Sequence, residues 1–170
     1  MKIKILIILL IISSNLLINA FVIKSKEAIY LTVINKPAII KQVFISASKY
    51  QVEPELVLAL IYAESSFNPK ARSKDSRGSW SRGLMQLNEK YYRFNRTRDF
   101  YDISINIDEG TKLLKWCLKK AEGNIVLSLA YYNNGYANTN NGKVWPMTLS
   151  YIDKILKYQN YLEAIYDLNK

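Results

Sequence analysis

Histidine is absent from all 170 residues. That excludes Ser-His-Asp and Cys-His nucleophilic catalysis, and zinc sites of the HExxH kind. Cysteine occurs once, at Cys117, so no intramolecular disulfide and no Cys-rich metal site can form. Cys117 lies on a helical pattern between Leu113, Leu114 and Leu118 and reads as a small core residue rather than a reactive thiol. The six glycines are scattered (Gly78, Gly83, Gly110, Gly123, Gly135 and Gly142), so no phosphate-cradling loop is present. Internal repeats are lacking, and the only biased segment is the isoleucine-rich start. Carboxylate chemistry is the main survivor of these exclusions.

What is present suits one compact domain behind a targeting segment. Hydrophobic residues make up 49% of the chain and tyrosine occurs 13 times, so the body is not a disordered tail. Net charge is +10, which favours polyanionic partners: nucleic acid, anionic lipid or an acidic wall polymer. Met1-Lys2-Ile3-Lys4 is a short basic start, followed by an unbroken apolar run from Ile5 to Ile12. Residues 1–20 therefore read as a secretory signal peptide ending at Ala20. The alternative is an uncleaved membrane anchor reaching to about residue 23, since apolar character resumes at Phe21-Val22-Ile23. Either way the remainder is expected to be exported to the periplasm or cell envelope.

Residues 24–36 read as a linker or a short helix. From Pro37 the pattern is helical, with Ile39, Ile40, Val43, Phe44 and Ala47 on one side. Pro54 suits the first turn of the next helix, which runs to about Ser65. Asn68-Pro69 stops it, because the residue before proline is pushed out of the helical region. Residues 67–82 read as a polar loop, Gly83 to about Lys90 as a short helix, and residues 91–103 as irregular. Ile103, Ile107, Gly110, Leu114, Cys117 and Ala121 mark a long amphipathic helix ending near Gly123. Asn124 suits an N-cap and Gly135 a stop for the helix between them. An Asn/Gly-rich loop follows over residues 133–142, and Pro146 leads into a last helix with Thr148 as its expected cap. No stretch alternates as a strand should, so the domain, residues 37–170, is expected to be mainly α.

One acid stands out. Glu64 follows Val57, Leu60 and Ile61 by seven, four and three residues, so all four share a helix face. An acid on an apolar stripe is desolvated, which disfavours its charged form and raises its pKa. A carboxylic acid that keeps its proton near neutral pH can protonate a leaving oxygen.

Four segments, in order, resemble the catalytic domain of soluble lytic transglycosylases, which shares the goose-type lysozyme-like fold. Glu64-Ser65-Ser66-Phe67-Asn68-Pro69-Lys70-Ala71-Arg72-Ser73 is similar to the family's E-S-x-F-N-P-x-A-x-S. Gly83-Leu84-Met85-Gln86-Leu87 is similar to G-L-M-Q-L, and Asn106-Ile107-Asp108-Glu109-Gly110 to N-I-x-x-G. Tyr132-Asn133-Asn134-Gly135 is similar to Y-N-x-G, followed by Pro146-Met147-Thr148 and Tyr151 like P-x-T-x-x-Y.

The resemblance implies a single mainly α domain with helices around a substrate cleft. It implies cleavage of the β-1,4 bond between N-acetylmuramic acid and N-acetylglucosamine in peptidoglycan, leaving a 1,6-anhydromuramyl end. Glu64 would be the catalytic acid and then base, with no metal and no cofactor. Ser73, Met85, Gln86, Asn106, Tyr132 and Asn133 would line the cleft, and Tyr151 would hydrogen-bond Glu64. The implied partners are peptidoglycan glycan strands and a cell-envelope secretion or conjugation machine that needs the wall opened. A membrane enters only if the N-terminal segment is uncleaved.

The sequence departs from the family pattern over Lys74 to Arg82, where relatives have a shorter stretch of small residues. Asp75 lies there, and a second carboxylate near Glu64 would permit lysozyme-like hydrolysis; a solvated loop residue is the plainer reading. Competing functions are a wall-docking accessory with weak or lost cleavage, and nucleic-acid binding through Tyr91-Tyr92-Arg93-Phe94-Asn95-Arg96-Thr97-Arg98, where aromatics interleave with arginines. Export away from cytoplasmic nucleic acid argues against the latter.

Overall fold

A computed structural model describes residues 2–75, 78–94 and 96–169. Ser76 and Arg77 of the expected polar loop, and Asn95 of the arginine–aromatic run, lie outside the described residues.

Seven α-helices carry the described structure: α1 (Lys2–Ile34), α2 (Pro37–Tyr50), α3 (Pro54–Ser65), α4 (Ile103–Lys120), α5 (Ile125–Asn134), α6 (Tyr136–Asn140) and α7 (Pro146–Asn169). Residues 24–34, expected as linker or short helix, are the end of α1. Tyr30 is fully buried there, with its hydroxyl donating to Glu55 at 2.6 Å, and Lys26 pairs with the same carboxylate at 2.7 Å. The packed body thus reaches back past Pro37, where the helical pattern alone placed its start. Leu17, Ile18 and Phe21 of α1 are exposed. Among the described residues no helix is long and apolar enough to cross a membrane.

The middle helices follow their sequence signals closely. In α2 the buried apolar residues are Ile39, Ile40, Val43, Phe44 and Ala47, one stripe at helical spacing. In α3, Pro54 occupies the first turn, where its missing N–H costs nothing. Every residue from Glu55 to Ile61 is buried, so α3 is the central helix of the core. Asp102 caps α4 by accepting from the Ser104 and Ile105 N–H groups, and Asn124 caps α5 by accepting from Leu127 N–H. Gly135 ends α5 at φ 84°, and the Asn/Gly-rich segment expected as a loop contains the one-turn helix α6. Thr148 is not the cap of α7. It lies inside the helix, buried, and donates to Asn133 Oδ1 at 2.9 Å.

Two expectations fail between Phe67 and Lys90. The polar loop contains strands β1 (Arg72–Lys74) and β2 (Trp80–Arg82), and the expected helix at residues 83–90 is instead a turn followed by β3 (Leu87–Asn88). The three form an antiparallel sheet in the order β1-β2-β3, with Ser73 opposite Ser81 and Ser81 opposite Asn88. Strands of two or three residues are too short to display a period of two, which is why alternation did not reveal them. The segment expected to be irregular holds a short 3₁₀ helix, Thr97–Tyr101. Phe94 packs edge-on to Phe100 at 4.6 Å and against Tyr92, so the aromatics of that stretch pair with one another. Arg96 pairs with Asp99.

Candidate active site

Glu64 stands in the last turn of α3, partly buried, directly after the fully buried Val57, Leu60 and Ile61. The chain turns away at once: Ser66 (φ 50°) and Phe67 (φ 61°) both adopt the left-handed conformation that side chains resist. Two successive residues held there mark a turn fixed by its surroundings. Phe67 is buried against Tyr62 and Tyr158, which supplies the packing that holds it. Ser65 turns back on its own helix, donating to the Ile61 carbonyl.

Tyr151 reaches Glu64 from α7, its hydroxyl donating to Oε1 at 2.6 Å. Burial pushes the Glu64 carboxyl up to about 7, against the opposing pull of the Tyr151 hydroxyl and the nearby Lys154 ammonium. Burial also raises both the Tyr151 and the Tyr132 hydroxyl well above the usual tyrosine range, with the Glu64 charge acting in the same direction. Each phenol thus stays a neutral donor at physiological pH. Lys154, which sequence reasoning missed, donates to the Ala63 carbonyl and stacks over the Tyr62 ring at 4.9 Å. It lies one turn beyond Tyr151 on α7, and that spacing was the available signal.

A second set forms on the turn Gly83–Gln86. Gly83 has φ 78°, and a side chain there would collide with the Phe100 carbonyl and the Asn106 amide. Asn106, buried in the first turns of α4, spends its amide on this turn: Oδ1 accepts from Met85 N–H at 2.8 Å, and Nδ2 donates to the Phe100 and Arg82 carbonyls. Met85 is fully buried and packs where Gly110 leaves no side chain of its own. The Met85 carbonyl accepts from Tyr132 OH at 2.9 Å, which ties the turn to α5. Gln86 follows at φ 47°, donating to the Gly83 carbonyl and accepting from Ser73 Oγ at 2.8 Å.

The expected site residues therefore fall into two groups. Glu64, Tyr151 and Tyr132 are gathered by α3, α7 and α5, while Ser73 and Gln86 are paired across the sheet edge and turn. Asn133 is exposed and held by Thr148. Met85 and Asn106 were expected to hold sugar groups on the cleft wall. At 0% and 1% exposure they present no side chain to solvent, and they act behind the wall by shaping the turn. Asp75 accepts from Ser79 N–H inside the β1–β2 hairpin, and no carboxylate is among the groups that shift Glu64. An open concavity of about 580 Å³ between α2 and the start of α4, lined by Ala38, Gln42, Ile45, Tyr101 and Ser104, shares no residue with this set. Among the described residues no cluster of carboxylates and cysteine could hold a metal ion.

A partly buried acid at the end of a core helix, with a tyrosine from the last helix on its carboxylate, belongs to a helical domain of lysozyme-like fold. Residues 41–150 match the Transglycosylase SLT domain, and the chain belongs to that family. It is 34% identical over 86 residues to membrane-bound lytic murein transglycosylase E of Buchnera aphidicola, covering 44% of this chain and 37% of that protein. It is 32% identical over 117 residues to the transglycosylase of Enterobacteria phage PRD1, covering 69% of this chain and 41% of that protein. The chain thus spans well under half the length of these curated relatives. Among solved structures it resembles an inactive mutant of the lytic transglycosylase Slt from Pseudomonas aeruginosa. The TM-score is 0.62 at 20% identity, over 76% of this chain and 24% of that one. The 70-kDa soluble lytic transglycosylase of Escherichia coli gives the same TM-score at 19% identity, over 86% and 28% of the two chains. At these identities the solved structures establish the fold alone.

Proposed function

We propose that this chain is a peptidoglycan lytic transglycosylase that cuts the β-1,4 bond between N-acetylmuramic acid and N-acetylglucosamine. The observation that carries this reading is one acid, Glu64, held protonated near neutral pH by burial and oriented by the Tyr151 hydroxyl at 2.6 Å. Ordinary glycosidases place two carboxylates across the scissile bond, whereas substrate-assisted ones use a group of the sugar itself. With no second carboxylate acting on Glu64 among the described residues, the N-acetyl carbonyl of the muramyl sugar fills that place.

The step is balanced without water. Glu64 gives its proton to the glycosidic oxygen as the C1–O bond breaks. The muramyl 6-hydroxyl then attacks C1, and its proton returns to the Glu64 carboxylate. The new C1–O6 bond is the 1,6-anhydro ring. Tyr151 donates to the carboxylate that appears between the two proton transfers, and so stabilises it where the charge develops. Tyr132 fixes the Met85 carbonyl and with it the position of Gln86, whose amide and the neighbouring Ser73 hydroxyl are the polar groups offered to sugar hydroxyls. Family membership and murein-acting relatives support the substrate; export to the periplasm or cell envelope follows from it, and a secretion or conjugation machine that must pass the wall is the partner class proposed.

Mass spectrometry of the muropeptides released from purified sacculi tests the reaction. Products carrying an anhydro end are lighter by one water than products with a reducing end. Reducing ends alone would replace this reading with hydrolysis.

A further inference from the structure

The β1–β2 ribbon carries an arrangement that the proposed cleavage does not use. Its register sets Arg72 opposite Arg82 and Lys74 opposite Trp80, so these four side chains share one face, with Ser73 and Ser81 on the other. On that face three cations converge on a single indole: Arg72 at 5.5 Å, Lys74 at 5.5 Å and Arg82 at 5.3 Å from the Trp80 ring centre. Gathering like charges is unfavourable unless something compensates them. The ring accounts for part of it. Glu89 accounts for one charge, pairing with Arg82 at 2.9 Å and accepting from Trp80 N–H. Asp75, the other acid of the hairpin, accepts from Ser79 N–H. Arg72 and Lys74 are exposed and form no ion pair among the described residues. Among the described residues, three cations against Glu89 leave this face with an excess of two positive charges.

The position of this face is as informative as its charge. β1 is an edge strand, and along it Arg72 and Lys74 flank Ser73, which takes the opposite face and is bonded to Gln86. A branch of a polymer lying along the Ser73–Gln86 side would cross β1 and meet the two cations. We propose that the Arg72–Lys74–Trp80 face binds the carboxylates of the peptide stems that branch from the glycan, so that the enzyme selects strands carrying acidic stems. This rests on the peptidoglycan reading above, and it names a feature of the substrate which that reading leaves open. The guanidinium of Arg72 suits a planar carboxylate and the Lys74 ammonium a second oxygen, while the indole keeps both arms extended.

The test uses the full chain carrying Glu64→Gln, so that binding is measured without cleavage. Co-sedimentation is compared on intact sacculi and on sacculi whose stem carboxylates have been converted to amides, at about 0.15 M salt. We expect intact sacculi to bind roughly tenfold more tightly than amidated ones. Adding Arg72→Gln and Lys74→Gln should erase that difference while leaving binding to amidated sacculi unchanged and the circular dichroism intact. Equal binding to both kinds of sacculi, or a difference that survives the two substitutions, would overturn the proposal. Cleavage by the unsubstituted chain on the same sacculi is read separately. Discrimination without cleavage leaves the binding face standing and removes the enzymatic reading; cleavage without discrimination does the reverse.

Discussion

On the α3–α7 side of the site, Glu64 rests on the fully buried side chains of Val57, Leu60 and Ile61 and receives one hydrogen bond from a distant tyrosine. On the turn side, Met85 and Gln86 are placed by amide and hydroxyl groups: Asn106 accepts from Met85 N–H and donates to the Arg82 and Phe100 carbonyls, Tyr132 donates to the Met85 carbonyl, and Ser73 donates to Gln86 Oε1. The first wall is made by excluding water and the second by satisfying polar groups. In the function proposed above, the difference has a chemical use. Removing water from a carboxyl group raises its pKa and makes an acid, while a network of fixed donors and acceptors offers directional contacts to a polyhydroxylated ligand.

The largest effect that would break this comparison is on the apolar wall. Glu64→Gln preserves the shape of the side chain and removes its proton, and general acid–base groups contribute about 10²–10⁴ to rate. Release of soluble muropeptides should fall by about that factor, and an undiminished rate would remove Glu64 from the chemistry. Next is the polar wall. Asn106→Ala leaves the buried Met85 N–H and two carbonyls unpaired, at a cost of about 3 kcal/mol in stability, read as a lower denaturant midpoint. An unchanged midpoint would show that the turn holds itself.

The apolar wall also carries its own cost, and that cost depends on pH. Burial lifts Glu64 from 4.5 in the unfolded chain to about 7 in the folded one, so between these values the folded state holds the proton more firmly. Stability attributable to this group is therefore intact below about pH 4.5 and is lost as pH rises toward 7. Because Glu64 keeps some exposure, the loss is about 2 kcal/mol. Glu64→Gln should melt several degrees above the unsubstituted chain at pH 8 and level with it at pH 4, by calorimetry. A gap of the same size at both pH values would mean that burial does not perturb this acid. The smallest effect sharpens the link between α3 and α7. Tyr151→Phe removes the donor that favours the carboxylate, so the basic limb of the pH–rate profile should move upward and the rate fall about tenfold, in line with one hydrogen bond to a charged group. An unmoved limb would separate Tyr151 from the titration of Glu64.

The apolar wall was largely legible in the chain and the polar wall was not. The spacing of Val57, Leu60 and Ile61 pointed at Glu64 because a helix repeats its face every three to four residues. The stripe of α2, the Asn124 cap and the Gly135 stop were readable for the same local reason. Motif likeness named Ser73, Gln86 and Tyr151 but carried no indication of which motif residues face outward. Asn106 illustrates this: an asparagine in the first turns of a helix looks like a surface group, and only the backbone of residues 82–85 folded against it takes up its amide. The sheet escaped notice because strands this short are fixed by pairing with one another and have no pattern of their own.

The sequence by itself determined helices α2, α3, α4, α5 and α7, the apolar bed beneath Glu64, the excess of positive charge and the exclusion of histidine and disulfide chemistry. Each depends on residue type or on neighbours within a turn or two. Tertiary structure alone decided that Tyr151 reaches across 87 positions to the acid, that Asn106 is buried behind the turn, and that three cations meet on Trp80. The first two join segments far apart in the chain, and their geometry exists only once the core has closed between them; the third needs β1 and β2 to pair, and strands that short carry no pattern that announces the pairing.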